Sequence, residues 1–328
     1  MVAIDSCRAY VGTDDGLFVF DIEGEGVERV GRSLAGETVR EVSVHPDDPA
    51  TAAVGCGLRG WGLHQTTRAG DRARRVGFAE EWVWGVTRDP ADPDALYVGT
   101  EPPGLYYGRP GEGFEPVGEF ADLPSREDWS FGHEPFEAGH VHGISVAGET
   151  VVAAVEHGAI VFSRDRGETW HDALPQTDAH DTAIVDDTVL VTTGTAGDST
   201  GGLHRAQLPE LTDWTHVARF DELYAKELVR GVDGRLYLDA MYETGEAHVG
   251  LWTSDDDGQS WTSLGAVPPA DVVGCNVLDT HPREPCVLFH ATHNTYDSCL
   301  VVSTDRGAAW EEVGPSLPRI RTVDVVAL

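Results

Sequence analysis

The sequence predicts an all-β fold, a seven-bladed β-propeller that forms one domain over residues 1–328. Short apolar runs separated by turns recur along the whole chain, roughly every 40–50 residues, which is the period of propeller blades. The chain also ends in a β-branched apolar run, 321–328, while segment 9–18 lacks the strand that precedes its counterparts in later repeats. We therefore expect both chain ends to share one blade, which closes the ring and removes sheet edges.

Proline-containing turns mark three of the repeats. Segments 45–49, 89–93 and 281–285 share the form P-x-x-P, and each lies between two apolar runs. Proline ends a strand because it has no N–H to donate, and it favours a turn. The apolar run that opens each repeat gives seven predicted inner strands: 39–44, 82–87, 140–146, 181–185, 226–230, 275–280 and 321–328.

A second motif occurs later in the repeat. Segments 163–170, 254–261 and 303–310 follow S-x-D-x-G-x-T-W, although Ala309 replaces the usual Ser or Thr in the third. This pattern resembles the Asp-box, or BNR repeat, of sialidase-like β-propellers. The resemblance implies a turn between the third and fourth strands of a blade, in which Asp binds backbone, Gly takes a positive φ and Trp packs between sheets. It also implies that these turns lie on the face opposite the functional one.

The charge of the chain is extreme. The formal net charge is −33, the apolar fraction is a normal 41%, and Lys226 is the only lysine. Disorder requires low hydrophobicity, which is absent here. We expect a folded domain with an acidic, hydrated surface, as in proteins of salt-accumulating cells such as halophilic archaea. Such a charge repels nucleic acid and anionic membranes, so neither is an expected partner.

Cysteine usage and the N-terminal sequence bear on the compartment. The five cysteines are an odd number without a C-x-x-C pair, which predicts buried thiols in a reducing compartment. The start of the chain has no signal-like pattern, and no apolar stretch is long enough to span a bilayer. We expect a cytoplasmic monomer.

The resemblance directs the search for a site to one face. It implies that inner strands begin at this top face and that the connection between the second and third strands returns there. Residues in those positions form two candidate sets. The candidate ligand-binding residues are Arg40, Arg59, Trp82, Trp84, Asn276, His293 and Arg321. The candidate catalytic residues are Glu156, Glu227, Lys226 and Tyr242.

Four histidines in neighbouring repeats form a candidate metal site. They are His140, His142, His157 and His180. Imidazoles that converge near a carboxylate such as Glu156 can bind zinc, manganese or iron. The alternative is a polar channel in which satisfied side chains hold ordered water.

Segment 119–139 breaks the repeat period. A connection this long in a compact fold is usually functional or disordered, and Trp129, Phe131 and Phe136 argue against disorder. We expect a ligand lid or a partner-docking loop over the top face, with an ordered cap as the alternative.

Two functions remain open at the level of sequence. One is a module that binds a small molecule, a glycan or a protein at the top face through Trp82 and Trp84. The other is a hydrolase or lyase on a carbohydrate or small anionic substrate, with or without a metal. True sialidase activity is disfavoured because the Arg-Ile-Pro that opens the sialidase pattern is missing. Metal binding in a closed pocket would favour the enzyme, and exposed tryptophans would favour the binding module.

Overall fold

The computed structural model describes residues 4–130, 139–194, 201–217, 220, 223–242, 249–266, 277–293 and 297–328. It contains seven four-stranded sheets and has the predicted fold, a seven-bladed β-propeller. In six sheets the strands follow one another in chain order. The remaining sheet combines the last strand of the chain with the first three.

Strand bounds follow the predicted repeats. The sheet with both chain ends contains β28 (Ile320–Ala327), β1 (Ile4–Thr13), β2 (Gly16–Gly24) and β3 (Gly26–Ser33). The next contains β4 (Val39–His45), β5 (Asp48–Cys56), β6 (Gly62–Thr67) and β7 (Arg72–Gly77). The third contains β8 (Trp82–Asp89), β9 (Asp92–Glu101), β10 (Gly104–Arg109) and β11 (Gly113–Pro116).

The other four sheets complete the fold. The fourth sheet contains β12 (His140–Ala147), β13 (Thr150–Glu156), β14 (Gly158–Ser163) and β15 (His171–Thr177). The fifth contains β16 (Ala179–Val185), β17 (Thr188–Thr193), β18 (Gly202–Gln207) and β19 (Thr215–His216). The sixth sheet contains β20 (Leu223–Arg230), β21 (Leu236–Tyr242), β22 (Val249–Ser254) and β23 (Thr262–Ala266). The seventh contains β24 (Asp279–Thr280), β25 (Leu288–His293), β26 (Ser298–Ser303) and β27 (Glu311–Leu317).

The two chain ends share a sheet, as predicted. Strand β28 pairs antiparallel with β1, and Val323 lies opposite Val11. Ile320, Val323 and Val325 are buried in the same apolar cluster as Val11 and Phe20. The apolar C-terminal run is therefore an integral strand of the first blade.

The chain divides into two compact units, residues 1–79 with 227–328 (unit 1) and residues 80–226 (unit 2). In unit 1, apolar side chains of β1, β2 and β28 form one core cluster, and those of β4 and β5 form part of another. In unit 2, Val141, Val151 and Val161 of adjacent strands bury their side chains in a common core.

The first strands of the sheets in unit 2 lie side by side. Thr87 Oγ1 of β8 donates to the carbonyl oxygen of Ile144 in β12 at 2.9 Å. Ser145 Oγ of β12 donates to the carbonyl oxygen of Thr182 in β16 at 2.6 Å. Gly143 permits this approach, because a Cβ there would lie 2.6 Å from Cα of Asp181. Side chains at the start of β8, β12 and β16 are thus brought close together.

The described part of the long connection is folded and packs against unit 2. Two 3-10 helices span Gly118–Asp122 and Pro124–Asp128. Phe120 and Trp129 are buried, their ring centroids lie 5.6 Å apart, and Phe120 also packs edge-on against Trp170 at 5.3 Å. Residues 131–138, with Phe131 and Phe136, lie outside the described residues, so the expected lid remains a prediction for them.

The three S-x-D-x-G turns share one hydrogen-bond pattern. In the first, Ser163 Oγ donates to Asp165, and Thr169 donates to Asp165 through both its backbone N–H and its hydroxyl. These donors, Thr169 first, lower the pKa of Asp165 to about 2. In the third turn Ala309 supplies only the backbone N–H, as expected for a side chain without a hydroxyl group.

Cysteines Cys7, Cys56, Cys286 and Cys299 are unpaired, and the first two are buried. Cys286 and Cys299 are only partly buried, which corrects the expectation that all the thiols are buried, and Cys275 lies outside the described residues. Among the described residues, no helix has the length and apolar character needed to cross a membrane.

Candidate functional site

A cluster of histidines and carboxylates lies in unit 2, where its first strands begin. His140 and His142 come from β12, His180 from β16, and Glu156 from the end of β13. All four are buried. Strand β12 pairs with β13 so that His140 lies opposite Glu156, which brings both to the same end of the sheet.

Glu156 is the centre of this cluster. Its Oε2 lies 3.0 Å from Nε2 of His140 and 3.8 Å from Nδ1 of His142. Its Oε1 lies 3.9 Å from Nε2 of His180. The structure thus brings three of the four predicted metal ligands to the predicted carboxylate, and His157 follows Glu156 directly in the chain.

Asp178 also belongs to the cluster, and sequence reasoning missed it. Its Oδ1 lies 3.5 Å from Nε2 of His180 and 3.7 Å from Nε2 of His157. The signal was present, because residues two apart in extended chain point to the same side and Asp178 is two residues before His180. It was overlooked because the strand was predicted to begin at residue 181, whereas β16 begins at Ala179.

The ring of His180 is fixed in one tautomer. Its Nδ1 lies 2.9 Å from the carbonyl oxygen of Ala225, and because a carbonyl can only accept, Nδ1 must carry the hydrogen. In the neutral ring, Nε2 therefore presents its lone pair to Asp178 and Glu156. Nε2 of His180 and Oδ1 of Asp178 are buried without a hydrogen-bond partner among the described residues.

The spacing of these atoms matches that of metal ligands. Bonds of about 2.0–2.2 Å from zinc to nitrogen or oxygen place tetrahedral ligands about 3.3–3.6 Å apart. The separations from His180 to Asp178, His157 to Asp178 and His180 to Glu156 are 3.5, 3.7 and 3.9 Å. Glu156, His157 and Asp178 can each direct one ligand atom to a common point, since these atoms lie within 4.8 Å of one another.

His140 has a different environment from His180. Its ring stacks on Trp84 with centroids 3.7 Å apart, and its Nδ1 lies 3.4 Å from Oε2 of Glu101. Burial by itself would lower the pKa of His140, but Glu156 and Glu101 outweigh burial and raise it. The two carboxylates thus favour the protonated form of His140, and its Nε2 holds Oε2 of Glu156 at 3.0 Å. Trp84 is only 3% exposed, which corrects its expected place at the mouth of the site.

Lys226, the only lysine of the chain, is a fixed cation of this site. Its Nζ lies 4.7 Å from the ring centroid of Tyr224, and that ring packs 4.6 Å from His180. Burial lowers the pKa of Lys226, but Tyr224 and Glu156 outweigh burial and raise it. Burial conversely raises the pKa of Glu156, whereas Lys226 and His140 depress it well below its usual range. Lys226 therefore remains protonated at neutral pH, so the structure supports an electrostatic role over that of a base.

A surface groove of about 330 Å³ gives access to the cluster. It is lined by Asp128, Ser130, His157, Gly158, Gln176, Thr177 and Asp178. His157 and Gln176 have φ angles of +53° and +57°, a conformation that is strained for residues other than glycine.

The remaining candidates, except Trp82, lie in unit 1. Glu227 Oε2 accepts a hydrogen bond from the backbone N–H of Leu278 at 2.6 Å, which is typical of a structural link. Arg321 binds both carboxylate oxygens of Asp14 at 2.8 and 3.0 Å, and Arg59 donates to the carbonyl oxygen of the same residue. Arg40, in the same unit, and Trp82, in unit 2, are partly buried. The side chains of Tyr242, Asn276 and His293 lie outside the described residues.

Comparisons with known proteins support the fold only. No family model matches the chain, and no curated protein matches it. Among solved structures, the chain is similar to a GH74 xyloglucanase from Xanthomonas campestris, with 19% identity, a TM-score of 0.62, and coverage of 84% of this chain and 45% of that one. The chain thus spans about half the length of that enzyme.

For two further solved structures, the match to this chain covers a larger share of the known protein. A proposed 6-phosphogluconolactonase of Bacteroides uniformis has 10% identity and a TM-score of 0.66, with coverage of 98% of this chain and 100% of that one. YCF48 bound to a D1 peptide has 16% identity and a TM-score of 0.54, with coverage of 85% and 81%. Enzymes and a peptide-binding protein thus share this fold, and the fold does not decide between them.

Proposed function

We propose that the chain binds a divalent transition metal, zinc or manganese, through Glu156, His157, Asp178 and His180. The observation that carries this proposal is the buried pair His180 Nε2 and Asp178 Oδ1. These atoms lie 3.5 Å apart. Apart from this contact with each other, neither atom has a hydrogen-bond partner among the described residues. Buried polar atoms are costly to leave unsatisfied, and a shared cation would satisfy both.

The surrounding groups suit a catalytic metal centre. The Nδ1–H of His180 is held by Ala225, and Oε2 of Glu156 is held by His140, as is usual for the second shell of metal ligands. A bound ion of this kind acidifies a water molecule or polarises a substrate oxygen. His157 and Asp178 line the groove, so a water or substrate oxygen could complete the coordination there. We therefore propose a hydrolase or lyase.

The groove favours a neutral substrate over the anionic one expected from sequence. Among its described lining residues none is lysine or arginine, and two are aspartates. Hydroxyl, amide and carboxylate side chains suit a ligand rich in hydroxyl groups, so we propose a carbohydrate or related polyol. The fold shared with a GH74 xyloglucanase makes neutral glycosides the first class to test.

A second candidate is capture of a small-molecule, glycan or protein partner. One observation favours it: Trp61 in unit 1 is 45% exposed, and exposed aromatic residues are common in binding surfaces. Burial of Trp84 removes one of the two tryptophans on which this hypothesis depended.

The test combines metal binding with a substrate screen. Metal-free protein is titrated with Zn²⁺ or Mn²⁺ in a calorimeter, and the loaded protein is assayed on neutral and anionic glycosides. The variant is Asp178→Asn, which keeps the shape of the side chain, and the control is His171→Gln on the exposed part of β15. In the wild type and the control we expect tight metal binding and turnover of neutral glycosides. In Asp178→Asn we expect the metal affinity and the turnover rate each to be at least tenfold lower. Equal binding by all three proteins would refute the metal site.

A further inference from the structure

Unit 1 contains a second group of potential metal ligands, distinct from the cluster in unit 2. Glu37, Cys56 and His64 each offer one ligand atom, and these atoms all lie within 4.8 Å of one another. Glu37 precedes β4, Cys56 is the last residue of β5, and His64 lies in β6. Cys56 and His64 thus lie on paired strands of one sheet, and Glu37 lies in the connection just before the first strand of that sheet.

The burial and the hydrogen bonding of these side chains both suit the binding of a cation. Cys56 is fully buried and His64 is 7% exposed, whereas the side chain of Glu37 is 32% exposed. Nε2 of His64 lies 4.0 Å from Oε2 of Glu37. Nδ1 of His64 and Oε2 of Glu37 have no hydrogen-bond partner in the part of the chain that the structure describes. The Cys56 thiol contacts the same carboxylate.

We propose that Glu37, Cys56 and His64 form a second, separate site for a soft divalent cation, with zinc as the favoured ion. A thiolate with an imidazole selects zinc over magnesium, calcium or manganese. Three protein ligands leave the fourth tetrahedral position open, as in catalytic zinc sites. The side chain of Glu37 is 32% exposed, so solvent reaches this member of the cluster.

Binding at this site releases a proton. The thiol of Cys56 must lose its hydrogen to solvent as the sulfur–metal bond forms, so one proton leaves for each ion bound through sulfur. The ligands in unit 2 include no sulfur, so the two sites differ in their spectra. Cobalt(II), a spectroscopic substitute for zinc, gives a near-ultraviolet charge-transfer band only when a thiolate is a ligand.

The experiment is a cobalt titration of the metal-free, full-length protein under reducing conditions. Four proteins are compared: wild type, Cys56→Ser, Asp178→Asn, and Cys286→Ser as a control at a partly buried thiol elsewhere. We expect the thiolate band in the wild type, in Asp178→Asn and in Cys286→Ser, its loss in Cys56→Ser, and its removal by added Zn²⁺. A fifth protein, the variant His64→Gln, keeps the thiol and should bind cobalt at least tenfold more weakly.

Two outcomes would overturn this inference. One is a wild-type protein without the thiolate band, and the other is a band that persists in Cys56→Ser. Failure of the site in unit 2 is recognised separately, because it leaves the thiolate band unchanged and makes wild type and Asp178→Asn bind the same amount of cobalt. If Cys56→Ser does not fold, unchanged cobalt affinity in His64→Gln would still contradict the proposal.

Discussion

Nε2 of His180 lies 3.5 Å from Oδ1 of Asp178, and both atoms are buried. The hydrogen bond from Nδ1 of His180 to the carbonyl oxygen of Ala225 fixes the ring, so Nε2 is directed at Asp178 before any ion is bound. Preorganised ligands bind metals more tightly because little ordering remains to be done. The predictions below test this arrangement and the fold that holds it.

Replacing His157 by glycine should remove a metal ligand without destabilising the fold. His157 occupies the turn between β13 and β14 with φ of +53°, where glycine avoids a cost of about 1 kcal/mol. We expect an equal or higher melting temperature and at least tenfold weaker metal binding. Gln176→Gly, with the same backbone relief at φ of +57°, is the control and should bind metal normally. A lower melting temperature with unchanged affinity would indicate a structural role for His157.

Gly194→Ala should weaken metal binding although no ligand is changed. A Cβ at Gly194 would lie 2.2 Å from Oδ2 of Asp178 and 2.8 Å from Cε1 of His180, so both ligands must shift. We expect a tenfold to hundredfold loss of affinity, the range usual for disturbed second shells, and a loss of about 1–3 kcal/mol in unfolding free energy. Gly26→Ala, at the exposed start of β3, is the control. Unchanged affinity in Gly194→Ala would contradict the geometry.

The sequence predicts the fold well because its signals are local. Apolar runs, three of them followed by proline turns, predict the place of the first strands, although β16 and β20 begin two and three residues earlier than expected. Residues 275 and 276 of the predicted strand 275–280 lie outside the described residues. The run 321–328 pairs with β1 as expected. The convergence of His140 and His142 on Glu156 also follows from strand register. Asp178 was not predicted, because β16 begins at Ala179, two residues before the apolar run at 181–185 that was expected to form this strand.

Other features of the site depend on contacts that no local pattern encodes. The ring of Trp84 is turned inward to stack on His140, and this orientation is set by packing between neighbouring strands. The protonated state of Lys226 depends on Tyr224, two residues away, and on Glu156, seventy residues earlier in the chain. Such properties follow from the folded environment and could not be predicted from residue type alone.

Stability should fall below neutral pH, partly through His204. Burial and the neighbouring His216 lower the pKa of His204 to about 4, compared with about 6.5 in an unfolded chain. The unfolded state therefore binds this proton first, and the contribution present above pH 6.5 is lost as the pH falls towards 4. His204→Gln should reduce the loss of unfolding free energy between pH 7 and 4.5 by about 2–3 kcal/mol. Denaturant titrations at both pH values measure it, and an unchanged pH dependence would contradict the prediction.

Ala309→Thr should stabilise the third S-x-D-x-G turn. Thr169 and Ser260 each donate a hydroxyl hydrogen bond of 2.6 Å to the turn aspartate, and Ala309 cannot. Because these turns are exposed, we expect a gain of about 0.5–1 kcal/mol in unfolding free energy. Thr169→Ala is the reciprocal control and should lose a similar amount. An unchanged unfolding free energy in both Ala309→Thr and Thr169→Ala would show that the hydroxyl contact contributes nothing.

The central claim, a metal centre at His180 and Asp178, is tested most directly by elemental analysis. Wild-type protein and Asp178→Asn are purified in high salt without a histidine tag or added metal, and their zinc, manganese and iron contents are measured. We expect the wild type to carry about one more transition-metal ion per chain than the variant. Equal metal content in the two proteins, whether zero or one, would contradict it.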